Sequence, residues 1–250
     1  MKNINKVAGI TLFFWIMKIL ATTLGETLGD LFSITLNIGY LMTLAVTMLF
    51  FLIVLFIQLK ATKFYPALYW LVIAGTTTVG TEISDFMDRT LGLGYMAGSL
   101  ILLTALLLTL ATWYFKEKKL TIYPIVETRV EIFYWIAILF SNSLGTAFGD
   151  FLSDNIGLSY STGALVTAGI IAIVVLLHYF TRINEILLFW IAFVFTRPFG
   201  ATFGDWLTKP ITKGGLQLGT LPATLVTAFI LLSLVIYTSR KKSTFNKLPR

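Results

Sequence analysis

Phe14-Trp15, followed by Gly25-Glu26-Thr27-Leu28-Gly29-Asp30, is the stretch that decides the fold, because the chain repeats it three more times. Tyr69-Trp70 leads to Gly80-Thr81-Glu82-Ile83-Ser84-Asp85, and Tyr134-Trp135 leads to Gly145-Thr146-Ala147-Phe148-Gly149-Asp150. Phe189-Trp190 leads to Gly200-Ala201-Thr202-Phe203-Gly204-Asp205. In every copy the tryptophan stands ten residues before the first glycine, and the aspartate follows five residues after it. A spacing kept four times without a gap marks tandem copies of one supersecondary unit. A second apolar segment follows each motif. Gly39-Tyr40, Gly94-Tyr95 and Ser159-Tyr160 begin nine residues after the aspartate, whereas Gly219-Thr220 begins fourteen after Asp205, an insertion of five. Each unit therefore holds two helices, and the four copies run in the same direction, as parallel rather than inverted repeats.

The solvent for these helices follows from composition. Of 250 residues, 57% are hydrophobic and 12% charged, with a mean hydropathy of +0.85. Soluble domains carry about 25% charged residues, and an apolar run of roughly 20 spans a bilayer. The sequence predicts an all-α integral membrane protein, a pseudo-symmetric bundle of eight transmembrane helices near 7–29, 37–58, 67–87, 93–115, 130–152, 158–180, 185–206 and 216–239. One membrane domain, 1–250, takes in repeats at approximately 7–58, 67–115, 130–180 and 185–239. The first apolar run is too long for a signal peptide and reads as a retained helix. With no cysteine there are no disulfides, thiolate metal sites or cysteine nucleophiles.

The net charge of +7 is a matter of topology. Lys2, Lys6, Lys60, Lys63, Lys116, Lys118, Lys119, Arg129, Arg182, Arg240, Lys241, Lys242, Lys247 and Arg250 put 14 of the 19 bases on one side of the predicted spans. The other side has Arg89, Lys209 and Lys213, and Lys18 and Arg197 fall within spans. By the positive-inside rule both termini are expected in the cytoplasm. The expected partner is the lipid bilayer and not nucleic acid. Monomer and homodimer both remain open.

This pattern resembles a bacterial inner-membrane family of four tandem two-helix repeats of unknown function, each with a marked tryptophan. The matching residues are Trp15, Trp70, Trp135 and Trp190 and the four Gly-x-x-x-(Gly/Ser)-Asp segments. The resemblance implies an eight-helix multi-pass protein of the bacterial plasma membrane. It implies no activity, so the chemistry must come from the residues.

Small residues four apart let membrane helices pack closely. Gly25 and Gly29, Gly80 and Ser84, Gly145 and Gly149, and Gly200 and Gly204 fit that pattern. Close approach of the four odd helices would bring their acids together. Two charges about 8 Å apart repel by roughly 2 kcal/mol at an effective dielectric of 20. Such a cluster needs protons, bases or a bound cation. The candidate cation ligands are Asp30, Asp85, Asp150 and Asp205, with Glu26 and Glu82. On the first helix Trp15, Lys18, Thr22, Gly25, Glu26, Gly29 and Asp30 fall on one stripe of roughly 140°, which should face the bundle interior. The plainer alternative is that the aspartates are solvated helix ends.

Thr22, Thr77 and Asn142 are expected along a path below the acids, with Lys18 and Arg197 as internal counter-ions. Arg197 is placed to reach an acid of another repeat, and Lys18 either exchanges with a bound cation or snorkels toward the cytoplasm. Pro198 suggests a hinge or a static kink in the seventh helix. The lone His178 reads as interfacial, and the repeat aromatics read as packing rather than a cofactor site. No catalytic constellation is present, so an enzyme is not expected. Hard oxygen ligands favour a divalent ion such as Mn²⁺ or Mg²⁺, or proton coupling, with the ion as substrate. The expectation is a cation transporter or channel. The alternative is a scaffold or sensor whose acids and bases form a structural network.

Overall fold

The computed structural model describes residues 5–245, with side chains to residue 240. The basic-tail residues Lys2, Lys241, Lys242, Lys247 and Arg250 lie outside the described side chains. Eight α-helices make up the fold, and no strand occurs among the described residues. They are α1 (Leu12–Asp30), α2 (Tyr40–Lys60), α3 (Pro66–Asp85), α4 (Tyr95–Glu117), α5 (Thr128–Asp150), α6 (Tyr160–Phe180), α7 (Glu185–Thr208) and α8 (Thr220–Phe245). Seven are long and apolar enough to cross a membrane, which makes this a helical membrane protein. The exception is α3. Its apolar residues are diluted by Thr76, Thr77, Thr78, Thr81, Glu82 and Asp85, all of them buried.

The odd helices form the interior. α1 packs on α3 and α7, and α5 packs on the same two, so the four close into a ring. Each even helix packs chiefly on the odd helix of the following repeat: α2 on α3, α4 on α5, α6 on α7, and α8 back on α1. Only 17–28% of the apolar stretch of each outer helix is buried, against 61–67% for α1, α5 and α7. The outer helices thus present their apolar sides outward, as a bilayer requires.

The motif glycines set the spacing of the ring. The first glycine of each repeat receives the side chain that stands three residues before the first glycine of the next. Gly25 faces Thr77, Gly80 faces Asn142, Gly145 faces Arg197, and Gly200 faces Thr22. A Cβ on Gly145 would also lie 2.8 Å from Cδ of Pro198, so this glycine accommodates the proline ring. α7 runs through Pro198 without interruption.

After Asp30, Asp85 and Asp150 the helices widen into one π-helical turn, closed by i→i+5 bonds from Leu36, Leu91 and Ile156 to Leu31, Phe86 and Phe151 (2.8, 2.9 and 3.0 Å). The fourth copy departs from this. Its insertion folds back over the end of α7, where Leu216 N donates to the Trp206 carbonyl (2.6 Å) and Gln217 N to the Lys209 carbonyl (3.0 Å).

The repeat aromatics plug the other end of the ring. Tyr69 and Tyr134 share a hydroxyl hydrogen bond of 2.7 Å. Phe14 lies 5.7 Å from Trp70 and 6.2 Å from Phe189, and Tyr69 lies 5.4 Å from Trp135, between ring centroids. Beneath them Lys6, one of the bases expected on the cytoplasmic side, forms a buried pair with Glu131 at 2.8 Å. Gln58 donates to the same carboxylate at 2.8 Å. His178 is exposed near the end of α6, against Tyr179.

Close packing gives a graded test. Gly200→Ala would drive a Cβ into Thr22, and Gly80→Ala would place one 3.0 Å from Asn142 and Ser143, whereas Gly169→Ala meets nothing. Overpacking typically costs about 1–3 kcal/mol. We expect Gly200→Ala and Gly80→Ala to lower the thermal unfolding midpoint in detergent and Gly169→Ala to leave it unchanged. Equal midpoints for all three would refute the packing role.

Candidate functional site

The ring delivers the motif acids to one end of the molecule, where a cavity of about 220 Å³ is lined by Glu26, Asp30, Asp150 and Asp205 together with Arg89 and Lys209. A wider depression of about 360 Å³ adjoins it, sharing Ser153, Asp154, Tyr160 and Lys213. The four aspartates are 2–5% exposed, so they are not solvated helix ends.

Bases stand between the acids. Arg89 lies 3.2 Å from Asp85 on its own repeat and 3.2 Å from Asp150 on the next. Lys209 lies 3.3 Å from Asp205 on its own repeat and 2.6 Å from Asp30 on the first. Both bases follow their aspartate by four residues, and the equivalent positions elsewhere are Ile34 and Asp154. Repeats two and four therefore each supply a cation that reaches an acid of the next copy. Burial works against the Lys209 ammonium, but Asp205 and Asp30 outweigh it and hold its pKa above the ordinary lysine value. The backfolded insertion sits directly behind this lysine.

Arg197 reaches an acid of another repeat. It is fully buried, lies 2.8 Å from Glu26, and also donates to Thr81 and to the Thr22 carbonyl. Glu82 is the outlier among the acids. It is 0% exposed, and neither of its oxygens has a hydrogen-bond partner in the protein.

Three of the expected ligands come together. Glu26, Asp30 and Asp205 each place one carboxylate oxygen within 4.8 Å of the others, close enough to share a metal ion. Asp150 lines the same cavity but is engaged by Arg89, while Asp85 and Glu82 are not in its lining. The expected path residues lie deeper. Thr22 donates to the Ile19 carbonyl (2.8 Å), Thr77 to that of Ala21 (2.9 Å), and Asn142 to Thr76 (3.0 Å). None of the three lines the cavity, because each is wedged against a motif glycine of the preceding repeat. Lys18 does not snorkel. It is 0% exposed and donates to Asn142 Oδ1 at 2.7 Å.

The family described as Repeat of Unknown Function (DUF347) matches four segments, residues 13–64, 68–119, 133–184 and 188–244. The chain belongs to this family. Neither the curated proteins nor the solved structures contain a significant match to it. The DUF347 repeat thus corresponds to one inner helix, its aspartate and the outer helix that follows.

Reasoning from sequence missed Arg89 and Lys209 as counter-ions. The signal was present, as Asp85-x-x-x-Arg89 and Asp205-x-x-x-Lys209, a spacing that places both groups on one helical face.

Removing one partner of a buried ion pair leaves the other charge uncompensated, at a cost of about 3–5 kcal/mol. Arg197→Met should therefore unfold at a lower temperature than wild type. Arg197→Met combined with Glu26→Gln should recover part of the loss. A double variant no more stable than the single one would show that Glu26 does not depend on Arg197.

Proposed function

We propose that this protein is a multi-pass transporter for a cation, with the acidic cavity as its binding vestibule. On this reading all eight helices span the membrane as a pseudo-fourfold ring, in a bacterial inner membrane with both termini cytoplasmic. The observation that carries the proposal is the convergence of Glu26, Asp30 and Asp205 in a cavity that already seats the Lys209 ammonium against two of them. Lys209 acts as a tethered stand-in that an incoming cation displaces. Its partial exposure, 25%, leaves it room to swing out. Carboxylate oxygens without sulfur or histidine favour a hard ion such as Mn²⁺ or Mg²⁺ as substrate. Six motif carboxylates against Arg89, Arg197 and Lys209 leave the cluster short of positive charge, which favours a further cation.

A second reading is supported by the same pairs. Arg89, Lys209 and Arg197 engage five of the six motif acids, as a bundle-locking network would. The two readings differ at Lys209. If the cluster is a transport site, Lys209→Gln removes a competitor and tightens cation binding. If it is only a lock, that change lowers stability and alters no affinity.

The test is ion flux in proteoliposomes with Mn²⁺, Mg²⁺ and Ca²⁺ and with a proton gradient, comparing wild type, Asp205→Asn and Asp150→Asn. We expect saturable flux in wild type and at least a tenfold loss in Asp205→Asn with the fold retained, an effect of about 1.4 kcal/mol or more. Asp150→Asn, whose carboxylate is held by Arg89, should lose less. Absence of flux for every ion, with both variants destabilised, would replace the transporter by the scaffold.

A further inference from the structure

Lys18 is a buried base that neither the acidic cavity nor the Lys6–Glu131 pair uses. It sits in the middle of α1, two helical turns from Glu26, in a layer whose equivalents in the other repeats are Ile73, Ile138 and Phe193. Among the described residues no carboxylate lies within ion-pair distance of it. Its surroundings are specific. Thr76 donates its hydroxyl to the Ile73 carbonyl (2.6 Å), and Asn142 Nδ2 donates to Thr76 (3.0 Å). That fixes the Asn142 amide with Oδ1 toward Lys18, which donates to it at 2.7 Å. The face of Phe193 lies 4.0 Å from Nζ.

This environment suits both forms of the side chain. An ammonium finds one carbonyl oxygen and one aromatic face. A neutral amine still donates to Asn142 and otherwise meets an apolar layer. Neither form is locked in, as a carboxylate partner would lock the ammonium. The groups around it are few. Asn142 of α5 and Phe193 of α7 touch it, Thr76 of α3 stands behind Asn142, and Arg197 follows Phe193 by one turn on α7. Arg197 is the charged group acting on Lys18, and it is of like sign. On α8 the titratable side chains among those described are Tyr237, which lies against Phe13, and Arg240. Arg197 in turn holds Glu26, a member of the candidate cation site.

We propose that Lys18 is a proton-binding site coupled to the cation site, its ammonium giving up a proton to water when a cation occupies Glu26, Asp30 and Asp205. This deepens the transport reading and rests on it for the coupling, though not for the site. The physical link is repulsion between like charges across Arg197 and Glu26. A cation above makes the ammonium below less favourable, and by linkage a proton on Lys18 weakens cation binding by the same factor. One Lys18 proton is released per cation bound, so the cycle is an exchange of cation for proton. Glu82, also buried and without a partner, is the competing source of that proton.

The experiment has two arms on the full-length protein in detergent. In the first, the ¹⁵N signal of the lysine side chains is followed across neutral pH, with Lys18 assigned by its loss in Lys18→Met or, should that variant not fold, in Lys18→Gln. Titration of the Lys18 signal is expected. A signal that stays in the ammonium form throughout overturns the proposal, whatever the protein transports. In the second arm, Mn²⁺ or Mg²⁺ is added and proton release is read with a pH dye. In wild type, affinity should rise about tenfold per pH unit for one displaced proton. In Lys18→Met the release should fall by one proton per ion and that slope should flatten. Undiminished release in Lys18→Met would move the coupling to Glu82 and overturn the assignment. If Lys18 titrates but wild type binds and moves neither ion, the proton site stands and the transport reading for those ions fails.

Discussion

The close approach of the four inner helices is the constraint on which everything else depends. At Gly25, Gly80, Gly145 and Gly200 the neighbouring helix occupies the space a side chain would need. Hydrocarbon offers no hydrophobic force to hold helices together, so such surfaces rely on van der Waals contact and buried hydrogen bonds. Thr77 illustrates the coupling: it fills the hollow at Gly25 and donates to the Ala21 carbonyl of α1 (2.9 Å). The same approach forces the aspartates five residues on into one small volume. A fold held by glycines at that end therefore creates an electrostatic problem at that end.

The solution is uneven across the repeats. Copies two and four carry a base one turn after their aspartate, and that base reaches the aspartate of the next copy. Copy four adds Arg197 where the others have Thr22, Thr77 and Asn142. Its guanidinium lies under Glu26, a position that is threonine or alanine in the other copies. Divergence in one repeat is thus answered by divergence in its neighbour around the ring. Arg89 also donates to Tyr40 at the start of α2 (3.1 Å), tying an outer helix to the charge network.

Much of this was legible in the sequence. The spacing of tryptophan, glycine and aspartate gave the repeat, the inner helices and the inward stripe of α1, because periodicity is a local property. The glycines announced a close contact but not its partner. That Gly145 would receive Arg197 and Pro198 depends on which helix follows α5 around the ring. The seating of each outer helix on the next repeat, closed by α8 on α1, was equally hidden, since α2, α4, α6 and α8 are apolar on most of their circumference. Lys6 reads as one more cytoplasmic base, because burial of a charge shows only when its partner, Glu131, 125 residues away, is placed.

The axial order of these layers bears on how any cycle would run. From the motif end inward come the acids with their bases, then Arg197, then Lys18 with Asn142, then the aromatic plug, and last the Lys6–Glu131 pair. The cavity reaches only the first layer. Access from the opposite end requires parting Tyr69 from Tyr134 and Lys6 from Glu131, both of which join elements of different repeats. Breaking a buried ion pair without replacing its partner is strongly unfavourable, so Glu131 must find another donor as Lys6 leaves. Gln58 and Trp135 donate to Glu131 as well, at 2.8 and 3.4 Å, but both bonds are already made with Lys6 in place. The N-terminal segment is held further by the bonds of Lys6 Nζ to the Leu59 carbonyl (2.9 Å) and of Lys6 N to the Ile125 carbonyl (2.9 Å), and Gln58 donates to the Lys6 carbonyl (3.2 Å), so this end is closed by several bonds that must break together while the motif end stays open.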